Sequence, residues 1–196
     1  MRVHSESASL ADPAAKAILS AFAPAGPEAA TLLRLFWLMA AGAVVVWIAV
    51  LAIGWIAARR DRQPVRDARW LILAGGVVTP TLVLTALLAH GLWLMPRVRA
   101  AVPEGALRVA VSGEQWWWRV HYEAADVDTA NEIHIPVGEP VVFTLSSPDV
   151  IHSFWVPALG GKMDMIPGRS NTLVLRADKP GIYRGACAEY CGASHA

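Results

Sequence analysis

The chain has 196 residues, of which 55% are hydrophobic and only 17% charged, with a formal net charge of +1. That length allows one or two domains, and the balanced charge, with no basic patch interleaved with aromatics, gives no case for a nucleic-acid binder. The apolar excess over an ordinary soluble protein requires part of the chain to sit in lipid.

Residues 1–34 are rich in Ala and Pro and lack the continuous apolar core of a secretory leader, so a cleavable signal peptide is not expected. Residues 12–22 can form one short amphipathic helix. From 35 to 58 the sequence is almost wholly apolar, long enough to span a hydrocarbon core, with Trp37 and Trp55 near the ends, where indole rings favour the interface. A second span is expected at about 70–95. It contains Gly75, Gly76 and Pro80, residues that membrane helices tolerate, and its one titratable group, His90, lies near its end. The loop between them, 59–69, carries five arginines and is expected on the cytoplasmic side. Residues 35–95 thus form a transmembrane hairpin. Residues 1–34 and the domain 96–196 then face the opposite side, the periplasm of a bacterial inner membrane.

After Pro96 the pattern becomes that of strands. Residues 107–112, 115–122, 132–136, 140–147, 170–177 and 181–185 alternate or are aromatic-rich, and Gly and Pro punctuate them. Short strands at this spacing predict an antiparallel β-sandwich or barrel of about 100 residues.

The chemistry concentrates at the end of the sequence. Cys187 and Cys191, the two cysteines present, and His195 follow one another at four-residue steps. His152 is expected in the loop closing the strand 141–146. Loops gathered at one end of a sandwich can bring an early His to a late Cys/His cluster, as in a cupredoxin-like copper site. Soft thiolates with imidazole suit copper, zinc or an iron–sulfur cluster, and a disulfide is the remaining alternative. With two thiolates as bridges and one imidazole for each ion, the set would make a binuclear centre suited to electron transfer. His134 and His121 read as strand-surface residues and His4 as part of the tail.

Four motifs then carry a resemblance: Gly113-Glu-Gln-Trp-Trp-Trp118, Asp149-Val-Ile-His-Ser-Phe-Trp-Val-Pro157, Gly161-Lys-Met-Asp-Met-Ile-Pro-Gly-Arg169 and Cys187-Ala-Glu-Tyr-Cys-Gly-Ala-Ser-His195. Together with the hairpin they resemble subunit II of the cytochrome c oxidases. The resemblance implies a two-helix hairpin followed by an all-β cupredoxin-like domain with a binuclear copper A centre. Cys187 and Cys191 would bridge two copper ions, His152 and His195 would be the terminal imidazoles, and Glu189 would ligate through its backbone carbonyl. The Glu189 carboxylate would face subunit I at a magnesium ion, with Lys162, Asp164 and Arg169 in the loop at that boundary. Trp116 would be the entry point for electrons from cytochrome c, and Glu123, Asp126, Asp128 and Asp149 are candidate acids for steering that partner. The family places a methionine three residues beyond the second histidine, and the sequence here ends at Ala196. Met163 and Met165 belong to a different motif and are not substitutes.

The implied partners are subunit I, subunit III, cytochrome c and membrane lipid, and no heme is expected in this chain. Two rivals differ in kind: a copper-free quinol oxidase subunit, which would lack the ligand set, and a membrane-tethered copper-delivery protein, which would not need the Trp116 motif or the 161–169 loop.

Overall fold

The computed structural model describes residues 2–3, 19–59, 68–98 and 102–195. Most of the expected amphipathic helix, nearly all of the arginine-rich loop and His4 lie outside them. Residues 19–22, the tail of that expected helix, are coil and turn. The chain divides into two compact units, residues 1–34 with 98–196 and residues 35–97.

Helix α1 runs Pro27–Arg59, with Glu28 in its first turn and Arg59 in its last. Proline suits a first helical position because its missing N–H would go unpaired there anyway. The two end charges also complement the helix dipole. Thirty-three residues at 1.5 Å each give roughly 50 Å, beyond the ~30 Å of a hydrocarbon core. Helix α2 (Ala68–Leu73) leads through a π-helical turn, Ala74–Val78, into α3, Thr79–Val98. The wide turn has a cause in Pro80, which supplies no N–H and whose ring crowds the carbonyl four residues back. The backbone N–H of Thr79 reaches Ala74 O instead, and the Thr79 hydroxyl donates to the same carbonyl at 2.7 Å. Pro27–Arg59 and Arg69–Pro96 are both long and apolar enough to cross a membrane. Gly75 and Gly76 have no neighbour within 4 Å of where a Cβ would stand.

The second unit is the expected sandwich. Its larger sheet has the order β4-β3-β2-β6-β9, formed by β2 (Leu107–Glu114), β3 (Trp117–Tyr122), β4 (Val127–Ala130), β6 (Pro140–Ser146) and β9 (Asn171–Arg176). Facing it is a sheet of β11 (Ala186–Cys187), β7 (His152–Trp155) and β8 (Met163–Met165). A small third sheet joins β1 (Arg2–Val3), β5 (His134–Ile135) and β10 (Gly181–Ile182). Inward residues of the two larger sheets interlock: Phe154 on β7 meets Phe143 on β6 at 5.6 Å and Trp118 on β3 at 5.7 Å between ring centroids.

The pairing is not wholly antiparallel, as the sequence had suggested. β2 and β6 run parallel, Leu107 opposite Val141 through Ser112 opposite Ser146. A parallel pair needs a long crossover, and here the β3–β4 hairpin and β5 fill it. Five strands escape the sequence reading: β1, β4, β7, β8 and β11. β7 is buried at three of its four positions, so no period of two exists in it to detect.

Residues 25–29 are knit into this unit. Ala25 N–H donates to Ala158 O at 2.7 Å, Ala25 O accepts from Asp178 N–H at 2.7 Å, and Ala29 N–H donates to Leu159 O. Gly26 permits the approach, since a Cβ there would lie 2.7 Å from Leu159 O.

Candidate metal centre

Three segments meet at one end of the sandwich. β7 begins with His152, so the expected loop residue is in fact the first residue of a strand, with a ring only 2% exposed. β11 places Cys187 opposite Phe154 on that same strand, and Ala188 N–H donates to Ser153 O. The chain then turns back through Cys191. Gly192 has φ of 126° and accepts the N–H of His195 at 3.1 Å, a conformation that glycine adopts without steric cost.

The donor atoms form a line, imidazole–thiol–thiol–imidazole. His152 Nδ1 is 3.8 Å from Cys187 Sγ, the two sulfurs are 3.9 Å apart, and Cys191 Sγ is 3.5 Å from His195 Nδ1. The ligand atoms of His152, Cys187 and Cys191 all lie within 4.8 Å of one another. Donors sharing one tetrahedral ion at ~2.3 Å for sulfur and ~2.0 Å for nitrogen stand about 3.5 Å apart, so the spacing fits a metal. Both cysteines are free thiols, far beyond the ~2.05 Å of a disulfide. Cys187 Sγ also donates to the Glu189 carbonyl at 3.2 Å. Burial pushes the Cys191 thiol up, and its hydrogen bond with Cys187 adds to this. Metal binding, which needs thiolates, therefore releases protons.

His152 is oriented by Asp149. Its Nε2 lies 2.8 Å from Asp149 Oδ1, so Nε2 carries the proton and the Nδ1 lone pair is left facing Cys187. Burial would raise the Asp149 carboxyl. Hydrogen bonds from His152, the Val150 and Gln115 N–H groups and the Ser147 hydroxyl overcome that and hold it at about 2. Beneath the ring lies Gly113 on β2, where a Cβ would come within 2.9–3.0 Å of three His152 atoms. Trp118 meets the ring edge-on at 6.0 Å.

Trp116 is 48% exposed, whereas Trp117 is half-buried beneath the Arg119 guanidinium and Trp118 packs on the core. The three rings thus divide between surface and interior, with Trp116 on the outside. Trp116, Trp118, His152, Cys187 and Cys191 line one cavity of about 280 Å³.

Other expected residues are placed differently. Lys162 ion-pairs with both Glu189 and Asp164, so the Glu189 carboxylate is already engaged by a cation. Arg169 closes a turn, its N–H on Ile166 O. Met165 is fully buried opposite His152 in the β7–β8 ladder. Glu123 and Asp126 lie beyond Tyr122, at the opposite end of β3 from Trp117, and Asp128 pairs with His121. Those three acids do not line the Trp116 cavity, and Asp149, which accepts the N–H of the preceding Gln115, is committed to His152. His134 is exposed on β5. Sequence reasoning missed the Asp149–His152 contact, and the signal available was an acid three residues before the histidine in a Ser-Pro-Asp turn.

The family model described as "Cytochrome C oxidase subunit II, periplasmic domain" matches residues 123–196. Cytochrome c oxidase subunit 2 of Alkalihalophilus pseudofirmus is 50% identical over 95 residues, covering 48% of this chain and 28% of that one. The probable cytochrome c oxidase subunit 2 of Rickettsia prowazekii is 30% identical over 185 residues, covering 82% of this chain and 59% of that one. The chain therefore covers less than two thirds of the length of either relative. Among solved structures, the periplasmic domain of subunit II of cytochrome oxidase from Bradyrhizobium japonicum is 32% identical, with a TM-score of 0.46 over 48% of this chain and 80% of that one. On its sequence matches, the chain belongs to the cytochrome c oxidase subunit II family.

Proposed function

We propose that this chain is the electron-entry subunit of a respiratory heme–copper oxidase in a bacterial inner membrane, with its β-domain on the periplasmic side. The observation that carries the reading is the linear donor set His152–Cys187–Cys191–His195. Two central thiolates can be shared by two ions, each completed by one imidazole, with the Glu189 carbonyl as a further oxygen. Such a binuclear copper centre supplies one-electron storage with the charge spread over both ions. The residues around it do the rest. Asp149 fixes the His152 tautomer, Trp118 and Phe154 exclude water from one side, and Trp116 presents an aromatic edge to the donor, cytochrome c. The electron then passes to the heme of subunit I, where oxygen is reduced.

The presence of His152, Cys187, Cys191 and His195 together disfavours a copper-free quinol oxidase subunit. The exposed Trp116 beside the donors, which copper delivery does not require, disfavours a delivery protein.

The test is metal loading of the purified protein. Two copper ions per chain, a purple mixed-valence spectrum and a seven-line electron-spin signal are expected. A colourless protein with a 187–191 disulfide would sink the proposal.

A further inference from the structure

We infer that Gln115 is a positioning residue that registers the exposed Trp116 ring against both halves of the metal centre; the inference rests on the electron-entry reading above. Gln115 occupies the turn between β2 and β3 and is itself exposed. A turn residue at the surface needs no partner for its side chain, since water serves. This one has a partner: Gln115 Nε2 donates to the carbonyl of Cys191 at 2.7 Å, across 76 positions of sequence.

The backbone of the same residue is tied to the other half. Gln115 N–H donates to Asp149 Oδ2 at 2.8 Å, and the other oxygen of that carboxylate receives His152 Nε2 at 2.8 Å. One residue thus joins the anchor of the first imidazole to the loop that holds the second thiol. It is also covalently bonded to Trp116. A third contact closes the arrangement. Gly192 sits so near that a Cβ on it would be 3.1 Å from both Gln115 Nε2 and Trp116 Nε1. The indole is therefore seated on the backbone next to Cys191, and the Gln115 amide holds the two together.

Electron transfer across a through-space gap depends steeply on its width. Positioning errors near 1 Å in a reacting pair cost up to roughly a hundredfold in rate. Losing the amide should open the gap between the indole and the Cys191 loop while leaving every proposed ligand in place.

Gln115→Met keeps the length of the side chain and removes its donor. Gln115→Glu keeps the shape and sets a carboxylate against the Cys191 carbonyl. Neither touches the backbone bond to Asp149. Each copper-loaded variant should keep the wild-type visible spectrum, and electron uptake from reduced cytochrome c should fall between roughly ten- and a hundredfold. The donor concentration giving half-maximal rate should not change in Gln115→Met, which adds no charge to the docking surface. A second readout needs no activity. In 5-fluorotryptophan-labelled protein the Trp116 fluorine resonance, identified by its loss in Trp116→Leu, should shift or broaden in Gln115→Met, with and without copper. An unmoved resonance overturns the inference. If Trp116→Leu slows uptake and Gln115→Met does not, the inference falls and the electron-entry reading stands. If neither variant slows uptake, both fall.

Discussion

The Asp164 carboxylate accepts the hydroxyl of Ser153, a side chain with no exposure, at 2.7 Å, besides the Lys162 ammonium at 3.0 Å. The Ser153 hydroxyl, then Lys162, hold its carboxyl below the usual carboxylate range. The group is ionised more readily folded than unfolded, so its stabilisation is present above the unfolded value of ~3.9 and lost as pH falls through the lower folded one. Asp164→Ala leaves a buried hydroxyl unpaired, a loss of about 1–3 kcal/mol at neutral pH. Denaturant unfolding should show that difference, and it should narrow below about pH 4. A constant difference down to pH 2 would contradict the assignment. These single-residue relations were the least legible from sequence. Asp149 reads there as one more surface acid, and only the turn through Ser147 and Val150 brings it under His152.

At the scale of elements, β7 does the most. It carries His152, pairs with β11 to place Cys187, and buries Phe154 between Phe143 and Trp118. Phe154→Ala should cost about 3–5 kcal/mol of stability. Because the cavity opens two residues from His152, copper retention under a competing chelator should weaken as well; a stability loss with unaltered retention would show the strand to be stiffer than this. Of the longer strands, β2 was legible because its buried positions alternate with less buried ones; β6 buries Val141, Val142 and Phe143 in succession and β9 buries Val174 and Leu175, and these two were legible from their β-branched and apolar residues between Gly and Pro breaks. β7, β8 and β11 were not. They are two to four residues long, and in β7 nearly complete burial removes the contrast between faces on which period-two reading depends.

For the whole molecule, the two long apolar helices were the easiest feature to read, since length and apolarity alone define them. The distribution of charge was the hardest. Around Trp116, Glu114 is paired with Arg119 and Asp149 is surrounded by donors, while exposed Arg184 lines the same cavity. Of the other exposed residues in these loops, Val150, Ile151 and Tyr190 are apolar or aromatic, and Asn131 and Ser194, which line the cavity, carry no charge. Glu123 and Asp126 lie at the other end of the hairpin. The donor should therefore dock through apolar contact. Its association rate should stay near the about 10⁵–10⁶ M⁻¹ s⁻¹ of unsteered encounter and respond little to ionic strength. Stopped-flow measurement across a salt series checks this, and a steep fall with added salt would show that acids steer the encounter.

Gly113, flat beneath His152, has a consequence for how this chain can vary. Its neighbours Ser112 and Glu114 on β2 are half-buried and have room for other side chains. At 113 even a methyl group would press within 2.9–3.0 Å of the imidazole. Tolerance to substitution therefore drops to nothing and recovers within three consecutive positions. A saturation library read out by copper colour should mark that one apparently featureless position as sharply as it marks the ligands themselves.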